Sequence, residues 1–265
     1  MASAPSGTGA PVKMRMAAPR RLSPRDVALL AAMNLPEVTV SRRPRVALIA
    51  TGDELVDPGE TPGPDQIVSS NNYGLAAMLA AIGAEPVLCP IARDSRQSLL
   101  AALEPARGAD FIVTLGGASV GEHDLVASIL GNAGLTLDFY KIAMRPGKPL
   151  MAGLLGEAVM LGLPGNPVSA MVCGEVFLRP AVEAAQGLPA RARETRPGRL
   201  AHGLPKNGPR EHYMRAVVDG EGSVTVFENQ DSSLLATMAR ANALVVRPPH
   251  APALGAGGEL RFIPL

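Results

Sequence analysis

Between residues 45 and 186, continuous apolar runs alternate with stretches of helical spacing. Arg45–Ala50 is apolar almost throughout, Asn71–Ile82 carries an apolar face and ends at Gly83, and Glu85–Ile91 is extended again. Ser95–Ala106 reads as a helix, Asp110–Leu115 as a strand and Leu125–Leu130 as a helix. Leu137–Met144 is extended, Ala158–Leu163 is a buried strand, and Pro167–Gln186 is a long helix stopping before Gly187. Strands apolar on both faces and set between helices are covered on both sides, which predicts an α/β domain with a mostly parallel sheet.

After Gly187 the pattern changes. Arg191–Arg199 reads as a basic linker. The short alternating runs His212–Val218, Ser223–Phe227, Leu244–Arg247 and Glu259–Ile263, with Gly and Pro between them, predict a small C-terminal β-barrel or sandwich. Its one helical stretch is Ser232–Ala241. Ahead of the α/β region, Ser23-Pro24 opens a short helix, with Ser23 as N-cap, Asp26 in the first turn and Asn34 as a left-handed cap. A helix this short cannot fold alone and must dock. The expected division is a disordered tail over 1–20, a helix and linker over 21–44, the α/β domain over 45–188 and the barrel over 192–265.

Composition narrows the function. Aromatic residues make up 3% of the 265, with no Trp, which argues against a base-stacking nucleic-acid surface. Net charge is +1, yet the first 44 residues hold seven basic residues against Asp26 and Glu37. Such a tail is expected to be solvated. Cys89 and Cys173 sit inside apolar runs and read as buried hydrophobes, and no CxxC pair suggests zinc. No apolar run approaches the roughly 18 residues of a membrane span, and no apolar signal segment opens the chain. The expected location is the cytoplasm, with no membrane or nucleic-acid partner.

Ligands of open α/β sheets bind beyond the C-terminal strand ends. Four loops fall there: Thr51–Leu55, Arg93-Asp94, Gly116–Asp124 and Leu163–Ser169. The Gly-Gly-x-Ser-x-Gly run lets backbone amides approach an anion, although a tight strand-to-helix turn explains the glycines equally well. Asp53, Glu54, Asp94 and Asp124 each follow a strand at that edge, and scattered carboxylates suit Mg²⁺ that keeps its waters. Asn166 and Pro167 start a helix whose free amides could hold an oxyanion, and Lys141, Arg145 and Lys148 crowd a turn stiffened by prolines.

Together these loops resemble the molybdopterin molybdotransferase family of bacterial MoeA and the gephyrin E domain. Thr51–Leu55 resembles its TGDEL motif, Gly116–Asp124 its GGxSxG(D/E)xD loop, Arg145–Pro149 its KPGKP turn and Leu163–Ser169 its LPGNPxS motif. The resemblance implies a MogA-like three-layer α/β domain followed by the family's C-terminal barrel, with 21–44 as a remnant of the first domain. It implies a transferase that inserts molybdate into adenylylated molybdopterin, releasing AMP with Mg²⁺ present. Glu54, Asp94 and Asp124 then serve catalysis and the metal. Thr51, Gly52, Asp53, Gly116, Gly117, Ser119, Pro164, Gly165 and Asn166 face the pterin. Arg145, Lys148, Pro149, Ser169, Arg215, Ser232 and Ser233 form the molybdate pocket, and a tetrahedral dianion suits such donors. Partners implied are a MogA-like adenylyltransferase, molybdoenzyme apoproteins and a second copy in a homodimer. Arg145 stands where the family usually has Lys, Asn34 where it usually has Gly, and the second domain with most of the first is missing. That absence raises the alternative of a non-enzymatic carrier of molybdopterin or finished cofactor.

Overall fold

A computed structural model describes residues 19–117 and 125–265. In chain order its elements are α1 (Pro24–Ala32), β1 (Arg45–Ala50), β2 (Leu55–Val56), β3 (Ile67–Val68), α2 (Asn71–Ala81), β4 (Glu85–Leu88), α3 (Arg96–Leu103), β5 (Phe111–Leu115) and α4 (Leu125–Asn132). There follow β6 (Leu135–Tyr140), β7 (Met144–Arg145), β8 (Met151–Leu155), β9 (Ala158–Leu163), α5 (Pro167–Cys173) and α6 (Arg179–Ala185), the two helices joined by a π turn over Gly174–Leu178. The remainder is β10 (Arg196–Leu200), β11 (Glu211–Val218), β12 (Ser223–Val226), α7 (Leu235–Arg240), β13 (Ala243–Arg247) and β14 (Glu259–Pro264).

The first sheet has the order β4-β1-β5-β9-β8-β6. Its first four strands run parallel, and β8 and β6 are antiparallel additions. Side chains alternate across a strand, and on the central strands β1, β5 and β9 both faces are buried. Val46 and Leu48 of β1 pack with Leu75, Leu79, Leu163 and Leu178 under α2 and the α5–α6 helix. Ala47 and Ile49 pack with Leu99, Ala102, Ile129 and Met160 under α3 and α4. Each Val, Leu, Ile or Met among them contributes about 1.5–3 kcal/mol on leaving water. The three-layer α/β expectation holds.

The second sheet runs β12-β10-β14-β13-β11, and a further β11–β12 pairing closes it into the five-stranded barrel. Its core is Leu200, Ala216, Val224, Ala243, Val245, Leu260 and Phe262. Leu244 and Ile263, at the other parity, join the core of the α/β lobe instead. β7 extends this sheet beyond the barrel, pairing in parallel with the start of β11.

Several details depart from the pattern. β10 occupies part of the stretch read as a linker. Its Pro197 and Gly198 disguise it, and Gly198 is needed because a side chain there would enter the space of Val224 and Phe262. β8, hidden by Ala152 and Gly153, forms a hairpin with β9. A Cβ at Gly153 would run into the Thr136 carbonyl of β6. Helix α1 has the expected capping box, the Ser23 hydroxyl accepting from the Asp26 amide and the Asp26 side chain accepting from the Ser23 amide, and Asn34 adopts φ +58. It docks less than expected: only Asp26 is buried, and Arg21 anchors the segment by donating to the Ile82 carbonyl at 3.0 Å. The disordered-tail expectation for 1–20 falls, up to residue 18, outside the described residues.

Candidate functional site

Successive parallel strands deliver loops to one edge of the α/β sheet, where backbone hydrogen bonds lace them together. The Thr51 amide donates to the Leu115 carbonyl, the Gly52 amide to Ala92 and the Gly116 amide to Leu163. Gly116 has φ +101, and a Cβ there would lie 2.7 Å from the Thr51 carbonyl oxygen, so only glycine lets these two loops meet. Gly117, at φ +68, similarly admits the side chain of Val126 from α4.

The meeting point is a cavity of about 380 Å³. Thr51 and Glu54 line one side, Pro149 another, and Pro164, Gly165 and Asn166 a third. Segments separated by more than a hundred residues are thus brought to one crevice. A further wall runs from Ile67 and Val68 of β3 to Ser69, Ser70 and Asn71 at the start of α2. The sequence reading identified that helix without connecting its first residues to the site. The short β2–β3 pairing carries the chain back there, and the Asn71 side-chain amide donates to the Gly165 carbonyl at 2.7 Å. A polar Ser-Ser-Asn-Asn run at a helix start was the available signal.

Asp94 lies just outside the cavity lining, within electrostatic reach of Asp53 and Glu54. Burial, then the Asp53 charge, then that of Glu54 raise its carboxyl above the ordinary range. Asp53 also ties the loops together, its carboxylate accepting from the Asp94 amide at 3.0 Å. Arg93 clamps the same loop: Nη1 donates to the carbonyls of Gly52, Asp53 and Leu55 at 3.2, 3.1 and 2.7 Å. Among the described residues no group of three or more His, Cys, Asp or Glu is disposed to hold a metal ion. Ser119 and Asp124 lie outside the described residues.

The cationic turn is spread more widely than its spacing suggested. Lys141 stands 4.7 Å from the centre of the Tyr140 ring. Arg145 belongs to β7 and faces the barrel, lining a different cavity from Pro149. Lys148 is exposed. The first turn of α5 also differs from expectation. Asn166 is the N-cap residue but makes no side-chain cap. Its amide donates instead to the Ser232 hydroxyl at 3.1 Å, and the Ser232 carbonyl accepts from the Val168 amide at 3.1 Å. That amide is therefore not free for an oxyanion. Ser169 is buried in the same turn.

Arg215 lines neither cavity. Only 1% exposed, it donates to Gln230 Oε1, the Leu234 carbonyl and the Asn229 carbonyl. It holds the loop that carries Ser232 and Ser233, and Ser233 is tied back to the Asp231 carboxylate.

Residues 47–184 match the family described as probable molybdopterin binding domain. The chain belongs to that family. Residues 197–265 of this molybdopterin-binding family member match the MoeA C-terminal region, domain IV. A molybdopterin molybdenumtransferase from Nostoc sp. is 34% identical over 92% of the chain and 58% of its own length. Molybdopterin molybdenumtransferase 2 from Mycobacterium tuberculosis is 36% identical over 91% of the chain and 61% of its own length. Among solved structures, a molybdopterin biosynthesis MoeA protein from Pyrococcus horikosii superposes with TM-score 0.81 at 28% identity, over 92% of the chain and 60% of that protein. The chain spans about three fifths of the length of these relatives. Among the described residues no helix is long and apolar enough to cross a membrane.

Proposed function

We propose that the chain acts in molybdenum cofactor biosynthesis, inserting molybdate into adenylylated molybdopterin with release of AMP. The observation that carries this is the crevice in which Thr51, Glu54, Pro149 and Pro164–Asn166 meet. Gly116, Gly117 and Ser119 would face the pterin phosphate, with Thr51, Gly52, Asp53 and Pro164–Asn166 around the pterin. Lys148, Pro149, Ser169 and the Ser232–Ser233 loop would receive molybdate, with Arg145 approaching from the barrel side and Arg215 holding the loop in place.

Mg²⁺ fits the acidic side of this crevice on donor chemistry. It takes one or two carboxylates and keeps water and phosphate as its other ligands, and a cation would relieve the repulsion that Asp53 and Glu54 impose on Asp94. Glu54, Asp94 and Asp124 would hold it, and when bound it would offset phosphate charge. Arg93 and Asp53 keep the two acidic loops in register whether or not the cation is present.

A second reading, a carrier that binds molybdopterin or cofactor without turnover, draws on the first turn of α5, where the Ser232 carbonyl takes the Val168 amide that an oxyanion would need. A homodimer, a MogA-like adenylyltransferase as the source of substrate and molybdoenzyme apoproteins as recipients belong to the proposal, in the cytoplasm. The deciding experiment is molybdate-dependent AMP release from adenylylated molybdopterin by this chain. Turnover that disappears in Asp94→Asn or Asp124→Asn, and that loses molybdate dependence in Lys148→Ala, supports the enzyme. Binding without AMP release leaves the carrier, and failure to bind pterin at all removes both.

A further inference from the structure

The barrel and the α/β lobe meet along one continuous helix, α5 with its π turn and α6. Part of that contact is apolar, with Met238, Leu244 and Ile263 entering the α/β core. Apolar contact holds two surfaces together without giving them a direction. Polar contacts supply the direction. At the start of α5, the Ser232 carbonyl takes the Val168 amide. A second such contact lies at the π turn, and the crevice makes no use of it. Glu175 in that turn is only 8% exposed. Its carboxylate is 3.3 Å from Arg179 of α6 and 3.4 Å from Arg193, in the segment leading to β10. Arg193 Nη2 also donates to the Pro264 carbonyl at 2.8 Å, at the end of β14. One guanidinium thus ties the helix of one lobe to the last strand of the other.

The arrangement is a poor source of stability. Burial, then the Arg179 charge, hold Arg193 below the ordinary arginine range against the pull of Glu175 and Glu183. Its Nε is buried with no partner among the described residues. Desolvation offsets most of what a buried ion pair gains by attraction, but such a pair can single out one geometry. π turns are rare and often mark functional positions. Here Gly174 admits the close approach of α2, since a Cβ would enter the space of Leu75, so the helix carrying Glu175 is fixed to the α/β core. Pro264 is equally fixed to the barrel. It pairs with Ala243 at the start of β13, the strand after α7, and α7 itself follows the Ser232–Ser233 loop.

We propose that Glu175 and Arg193 are positioning residues whose pairing fixes the seat of the barrel on the α5–α6 helix and so sets where the Ser232–Ser233 loop lies against the start of α5. Neither residue lines the crevice. The role in the reaction rests on the proposed function, in which that loop receives molybdate; the seating does not.

Amide hydrogen exchange, followed by NMR on the full chain, provides the test. Val168 is in the first turn of α5, where amides have no partner within the helix, so its protection reports the Ser232 contact. The Ala170 amide donates to the Asn166 carbonyl at 2.9 Å and serves as the control for fraying of α5 itself. The variants are Arg193→Met and the double substitution Glu175→Met with Arg193→Met, which removes both charges; replacing a buried pair by apolar side chains of similar volume is often neutral for stability. The expected result in the double variant is a urea midpoint like that of the unsubstituted chain, an unchanged Ala170 amide, and Val168 exchange faster by about tenfold. In turnover, the KM for molybdate should rise by a similar factor while that for adenylylated molybdopterin stays. Val168 exchange equal to that of the unsubstituted chain overturns the proposal. So does exchange that accelerates no more than that of Ala170, which would mean a frayed helix and not a shifted barrel. Absence of AMP release from the unsubstituted chain strikes the proposed function alone, because the exchange comparison needs no substrate.

Discussion

Replacing Arg215 by Met distinguishes a loop-holding guanidinium from a ligand-binding one. Methionine preserves most of the buried stem and removes only the charged head. Three donated hydrogen bonds disappear, at 3.3 Å to Gln230 Oε1, 3.1 Å to the Leu234 carbonyl and 3.4 Å to the Asn229 carbonyl. Bonds from a charged donor contribute about 1.5–3 kcal/mol each. The full total is not expected, because Asn229 and Leu234 are exposed and their carbonyls can turn to water. Removing the guanidinium also relieves its own desolvation, which holds Arg215 below the ordinary arginine range. The expected net loss is about 2–4 kcal/mol. With no Trp to report unfolding, urea denaturation is followed by far-UV circular dichroism. At a slope of about 2 kcal/mol per molar urea, the midpoint should fall by about 1–2 M. A midpoint that stays put while oxyanion affinity collapses would refute the reasoning and return Arg215 to the ligand.

Gly116→Ala places a methyl group 2.7 Å from the Thr51 carbonyl at φ +101, so stability should fall by about 1–3 kcal/mol and pterin binding should weaken. Native-like affinity in a calorimetric titration would argue against a shared crevice. His212, pushed down to about 4 from an ordinary 6.5 by burial and then by Arg145, Arg210, Arg215 and Arg247, binds protons more readily in the unfolded chain between those values. Stability should therefore decline by about 2 kcal/mol, solvent screening allowed for, as pH drops from 6.5 to 4, and His212→Gln should flatten that stretch. Identical slopes would count against it. The Asp110 carboxyl is lowered chiefly by its bond from Arg42 and further by the Arg45 amide. Its contribution is present above the unfolded carboxylate pKa and disappears as pH falls through the folded value. Asp110→Asn should accordingly lose part of the acid limb of the stability profile, measured by thermal melts from neutral pH down to about pH 3.

Legibility in the sequence followed the source of each element's stability. β1, β5 and β9 declared themselves because they are covered on both faces and so read as unbroken apolar runs. β8 and β10 did not, because Gly153 and Gly198 are chosen for what the neighbouring strand needs, the room beside Thr136 and beside Val224, and not for local propensity. The site divided in the same way. Glu54 and Asn166 could be gathered from loop positions at strand ends, since topology alone brings those ends together, whereas Pro149 came only through the family resemblance. The direction taken by Arg145, the burial of Arg215 and the capture of the Val168 amide by Ser232 depend on how the barrel sits against the α/β lobe, which periodicity does not encode. Ser69–Asn71 fell between the two: its helix was evident, its place beside Gly165 was not.

The pairing of Met144 with Glu211 and of Arg145 with His212 means that sequence order and hydrogen-bond order disagree about where one lobe ends. A cut anywhere between the two matched family regions, after residue 184 and before 197, would leave β7 on the wrong fragment. The isolated barrel would expose the leading edge of β11 and forfeit the guanidinium that Arg145 brings to its rim. The isolated α/β fragment would keep that arginine on a ribbon with nothing to pair against. The two halves are stitched by a loan of backbone from one to the other, and they are best regarded as inseparable in any dissection by truncation.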